Sequence, residues 1–189
     1  MPILTYPEAD TPPPLRDQVL ALQDESWPPD VPSSGLSHDP ALAPLSMLLV
    51  EDGVVLAALD VLRKEIEHAG LRLRAGGLST VVTRKAARGQ GNGHRLVSAA
   101  REAMPSYGLD LGLFTCDRPL AGFYEGAGWQ VLPGTVLVGG TPEDPFPSDR
   151  PGFDKVTLAA FFTTKSRAVE PSFRAARIAL HPGPVHKLW

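Results

Sequence analysis

The chain has 189 residues, 43% of them hydrophobic and 21% charged, an ordinary balance for one globular domain with a substantial core. A net charge of -3 and a pI of about 5.9 disfavour nucleic acid as a partner, and a lone cysteine, Cys116, excludes an internal disulfide framework and a cysteine-based zinc site. Nothing approaches the roughly 18 consecutive apolar residues of a membrane span, and the first residues lack the basic and apolar stretches of a secretory signal, so a cytoplasmic protein without membrane or metal is expected.

In chain order, Pro12-Pro13-Pro14 precede a helical pattern with Leu15, Val19 and Leu22 on one face. Residues 27–40 are rich in Pro, Ser and Gly and predict a long loop of the kind that borders binding sites. Residues 45–50 and 54–61 flank Glu51-Asp52-Gly53 and predict a hairpin. Ala69-Gly70 offers a second turn, followed by strand-like residues 71–74 and 78–83, with Gly76-Gly77 expected as a bulge between them. Leu96, Val97, Ala100, Ala103 and Met104 form a helical stripe that Pro105 stops. A buried strand is expected at 109–115, then a helix with Asp117 as N-cap and Pro119 in its first turn, carrying Phe123 and Tyr124. Residues 129–138 and 156–163 predict strands and 139–152 a loop, while the segment 164–189 has no clear pattern.

The charge is unevenly distributed. Residues 1–60 hold ten acidic side chains and only one basic one, Arg16, whereas residues 61–101 hold nine basic ones against Glu65 and Glu67. Such a division suits a chain that meets an anionic ligand on one part and a cationic one on another.

The densest chemical signal is Arg88-Gly89-Gln90-Gly91-Asn92-Gly93-His94-Arg95, which lies between a β-branched strand and a helix. This order collects backbone N–H groups around a phosphate at a helix N-terminus. The P-loop pattern fails because Gly93 is followed by His94-Arg95 rather than Lys and Ser or Thr. The dinucleotide pattern fails because its third glycine would fall at Leu96 or His94.

The spacing Arg88-x-x-Gly91-x-Gly93 after an apolar strand resembles the acetyl-coenzyme A signature of the GCN5-related N-acetyltransferases. Phe123-Tyr124-Glu125-Gly126-Ala127-Gly128-Trp129 resembles a second segment of that family, in the right order. Within it the chain looks most like the aminoglycoside 2'-N-acetyltransferases, through residues 70–76, 88–90, 95–99 and 111–115 and the terminal Trp189.

The resemblance implies a single α/β domain over 1–189, with a mixed, mostly antiparallel sheet splayed at a central bulged strand and flanked by helices. It also implies direct acetyl transfer from acetyl-CoA to a primary amine of a small cationic acceptor, with no metal. Main-chain N–H groups of Gln90, Gly91, Asn92, Gly93 and His94 would hold the pyrophosphate, with Gly89 in the turn and Arg88 and Arg95 adding charge. Val81 and Thr83 would pair with the pantetheine arm through their backbone, one N–H polarising the thioester. Tyr124, a phenol protonated at neutral pH, is the general-acid candidate.

The family's base, a glutamate nine residues before the arginine, maps onto Ser79, which needs help to act as one. Water, His68, Glu67 and the Trp189 carboxylate are the alternatives. Lys187, near the end, would repel a polycationic aminoglycoside, and a peptide amine is the alternative acceptor; Ser79 in place of the base keeps a non-catalytic acyl-CoA-binding module open. A homodimer also stays open.

Overall fold

The computed structural model describes residues 1–30, 35–184 and 188–189; residues 31–34 of the proposed substrate-side loop and the tail residue Lys187 lie outside them. The chain divides into two compact units, one of Met1–Leu62 with Leu78–Ala100 and one of Arg63–Gly77 with Arg101–Trp189. Two long strands, β3 (Val54–His68) and β4 (Leu71–Thr83), contribute residues to both.

In the first unit, strand β1 (Ile3–Pro7) runs antiparallel to β2 (Leu45–Glu51), which pairs antiparallel with β3. Helix α1 (Pro13–Ser26) begins on its prolines, where no intrahelical N–H is lost. Its buried Val19 and Leu22 pack with Leu48, Val50, Val55, Ala58 and Val82 from the strands, and the helical spacing of the apolar residues explains that face. Helix α2 (Asn92–Ala103) buries Leu96, Val97 and Ala100, as its stripe predicts.

In the second unit, β5 (Leu111–Asp117) pairs parallel with β4 at Ala75 and Gly76 only, and antiparallel with β9. Helix α3 (Ala121–Gly126) follows a 3₁₀ turn. Then come β6 (Gln130–Val131), β7 (Val136–Gly140), β8 (Pro145–Pro147), β9 (Lys155–Phe161), α4 (Thr164–Ala168) and β10 (Arg177–Ala179). The main sheet has the order β1-β2-β3-β4-β5-β9-β6, and a smaller one the order β10-β7-β8. The α/β class and the mixed, mostly antiparallel sheet flanked by helices are as expected.

Three local expectations need correction. Residues 129–138 form two strands in different sheets, because Pro133-Gly134 turns the chain between them. The expected loop 139–152 contains β8, which pairs with β7. Asp117 stands at the N-cap position of the 3₁₀ turn Arg118–Leu120 that leads into α3, but its side chain makes no capping bond; its carboxylate meets Lys155 Nζ at 2.7 Å.

At Gly76-Gly77, where a bulge is expected from sequence, the glycines serve close packing. A Cβ on Gly76 would stand 2.5 Å from Leu109, and one on Gly77 would stand 2.3 Å from the Trp189 indole. The left-handed residue of β4 is Thr80, at φ +48°. A β-branched residue there costs on the order of 1–2 kcal/mol, so the bend must be held by its surroundings.

Candidate active site

The glycine turn is built from its own side chains. Gly89 and Gly91 sit at φ +74° and +78°, where a side chain is strained, yet a Cβ on either would meet nothing within 4 Å. Conformation, not crowding, therefore selects glycine here. Gly93 lies in the first turn of α2 with a helical backbone.

Asn92 is buried and its amide donates to the Ala87 carbonyl at 3.1 Å, so its side chain fastens the turn. Gln90 Nε2 donates to the Ala86 carbonyl, Arg88 Nε to that of Thr83 and Arg95 Nη2 to that of Met1. Arg88 thus braces the entry to the turn, Arg95 ties the first turn of α2 to the N-terminal residue, and both hold positive charge beside the helix N-terminus. His94 occupies the exposed first turn of α2. Val81 and Thr83 are half-buried in the last stretch of β4, Val81 directly after the left-handed Thr80.

Thr80 is held by Asp60, a β3 carboxylate only 2% exposed. Its Oδ2 accepts from Thr80 Oγ1 at 2.6 Å and its Oδ1 from Ser46 Oγ at 2.5 Å. Next to the bend, Ser79 Oγ lies 3.0 Å from Nε2 of His38. The other ring nitrogen, Nδ1, is 3.6 Å from Glu8 Oε2 and 3.7 Å from Asp60 Oδ2, and the His38 side chain is only 4% exposed.

The segment carrying His38 is tied down on both sides. Ser37 N donates to Glu8 Oε1, Ser37 Oγ donates to Gln23 Oε1, and Asp39 caps a short turn at Ala41. Behind this cluster a small cavity is lined by Glu8, Thr11, Arg16, Gln23 and Asp60, among others. Burial pushes the Glu8 carboxyl up, but the His38 imidazole and the Ser37 N–H outweigh it and hold it below its usual range. Burial dominates at Asp60 and raises its carboxyl, against the pull of His38 and the Ser46 and Thr80 hydroxyls. Among the described residues no group of three or more His, Cys, Asp or Glu side chains is arranged to hold a metal ion.

Sequence reasoning missed His38, whose partners Glu8, Asp60 and Ser79 are scattered along the chain. The only signal was a histidine inside the loop already singled out at 27–40. The bases considered instead have other partners: His68 contacts Ser172 and Phe173, and Glu67 meets Arg72 on the surface.

In the second unit Tyr124 is 6% exposed and packs edge-on against Phe114, which also meets Trp129. Burial, and then the nearness of Cys116 and Asp117, push the phenol well above its usual range, so it keeps its proton at any physiological pH. Burial likewise pushes the Cys116 thiol up to about 11, which leaves it un-ionised and a poor nucleophile. Trp189 is 5% exposed, and its Nε1 donates to the Leu113 carbonyl at 2.7 Å, which makes the indole a packing element.

No family model matches the chain, and no curated protein matches it by sequence. Solved structures do match in fold. An acyl-CoA N-acyltransferase from Pseudomonas aeruginosa superposes with a TM-score of 0.58 at 21% identity, over 84% of this chain and 97% of that one. An aminoglycoside 6'-N-acetyltransferase solved with coenzyme A gives 0.58 at 15% identity, over 85% and 97%. A chain of the NatC complex, bound to Gag peptide and coenzyme A, gives 0.54 at 15% identity, over 86% and 100%. The fold is thus one shared with N-acyltransferases, and its neighbours include an aminoglycoside acetyltransferase and a chain of a peptide-bound complex.

Proposed function

We propose that this chain is an N-acetyltransferase that moves the acetyl group of acetyl-CoA directly to a primary amine of a small cationic acceptor. One observation carries the reading. The turn at 88–93 presents left-handed glycines at 89 and 91 to a helix N-terminus flanked by Arg88 and Arg95, within a fold shared with coenzyme A-bound transferases.

In this reading the N–H groups from Gln90 to His94 hold the pyrophosphate, favoured by the helix dipole and the two guanidinium groups. The backbone of Val81 and Thr83 aligns the pantetheine arm, and an N–H beside the Thr80 bend steadies the oxyanion formed when the amine attacks the thioester. Tyr124 protonates the departing thiolate, for which its un-ionised phenol is suited. Trp189 has a packing role. The excess of acidic residues over 1–60 favours a cationic acceptor, aminoglycoside-like in the broad sense.

A peptide amine is the second reading, favoured by the likeness to the peptide-bound NatC chain. The test is calorimetric titration with acetyl-CoA, followed by thiol release in the presence of polyamines, aminoglycosides and peptides. Micromolar binding with amine-dependent thiol release is expected. Failure to bind acetyl-CoA would remove the reading, and turnover with peptides alone would favour the second.

A further inference from the structure

We infer that Ser79 and His38 form a two-residue proton relay that deprotonates the acceptor, with Glu8 and Asp60 orienting the imidazole and balancing the charge it gains. The inference rests on the acetyltransferase reading and supplies the base that Ser79 alone cannot be.

The geometry assigns the roles. Ser79 is half-buried, whereas the His38 side chain behind it is 4% exposed, so an acceptor reaches the hydroxyl and not the ring. Ser79 Oγ is within hydrogen-bond distance of His38 Nε2 at 3.0 Å. Both carboxylates face the opposite nitrogen, Nδ1, at 3.6 and 3.7 Å. A proton on Nδ1 is attracted by both, which leaves Nε2 as the acceptor for the Ser79 hydroxyl.

The step balances without another reactant. The acceptor ammonium gives a proton to Ser79 Oγ as the Ser79 hydroxyl proton passes to His38 Nε2, leaving a neutral amine, an intact serine and an imidazolium. Glu8, on the turn after β1, and Asp60, on β3, offset the new charge; among the described residues lining the cavity behind them, Arg16 of α1 is the cation. Asp60 also holds Thr80 in its left-handed bend, so a single carboxylate fixes the strand that presents Ser79 and backs the ring that serves it. The carboxylates act through His38 and are positioning residues.

The test compares wild type with His38→Gln, Ser79→Ala and Ser79→Thr, using thiol release against pH with acetyl-CoA and the best amine. His38→Gln and Ser79→Ala should each lower kcat by about 100-fold or more, with the KM for acetyl-CoA changed by less than about two-fold. Both should lose the fall in rate on the acid side that an imidazole acceptor imposes, and Ser79→Thr should restore most of it. Nitrogen-detected NMR of the histidine ring reads the relay without turnover, and should show the neutral ring protonated on Nδ1.

Wild-type rates and an unchanged pH profile in both variants would overturn the relay, as would a ring protonated on Nε2 or an acetyl group recovered on Ser79. Should His38→Gln fail to fold, Ser79→Ala, at a half-buried position, carries the test. Loss of acetyl-CoA binding by wild type would instead remove the parent reading.

Discussion

Gly77 and Trp189 illustrate how a single position is decided by its neighbour. The glycine exists to let an indole lie flat on β4, and a methyl group there would meet the ring at 2.3 Å. Gly77→Ala should therefore lower stability by about 1–3 kcal/mol in denaturant unfolding, the usual range for overpacking. An unchanged midpoint would show that the ring can move aside. At Tyr124, replacement by Phe keeps the ring contacts with Phe114 and removes only the hydroxyl. Tyr124→Phe should leave unfolding nearly unchanged and reduce turnover about 100-fold. None of these contacts was legible in the sequence, because they join residues far apart in the chain. The glycines could be seen, but not what they approach.

At the scale of elements, the glycine turn was legible and the bend in β4 was not. The turn was found from its spacing and its residue types, since left-handed backbone leaves its mark locally as glycine. The left-handed bend at Thr80 was not foreseen, because a left-handed threonine leaves no such mark and is held by Asp60, far away in the chain. Gly91→Ala, at φ +78°, should weaken acetyl-CoA binding by at least about ten-fold, with a stability loss of about 1 kcal/mol.

The two carboxylates that anchor this region predict opposite pH responses. Asp60 is raised above 3.8, so its contribution is full below that pH and is lost as pH rises through its folded value. Glu8 is lowered below 4.5, so its contribution is present above that pH and is lost as pH falls through its folded value. Relative to wild type, Asp60→Asn should thus gain stability, and Glu8→Gln lose it, as pH is raised from 3 towards neutrality. Urea unfolding across that range reads both signs.

For the molecule as a whole, the α/β class and the mixed sheet were legible from the hairpin signals, the two motif segments and their order. The proposed base was not, because it is assembled from Glu8, His38, Asp60 and Ser79, which only the fold brings together. The cofactor half of the proposed site reads along the chain and the proton-handling half reads across it. The most direct measurement is release of coenzyme A thiol from acetyl-CoA by the purified protein, with and without a panel of cationic amines. The account predicts amine-dependent release matched one for one by acetylated amine. Tight binding of acetyl-CoA with no amine-dependent release would contradict it and leave a binding module in place of an enzyme.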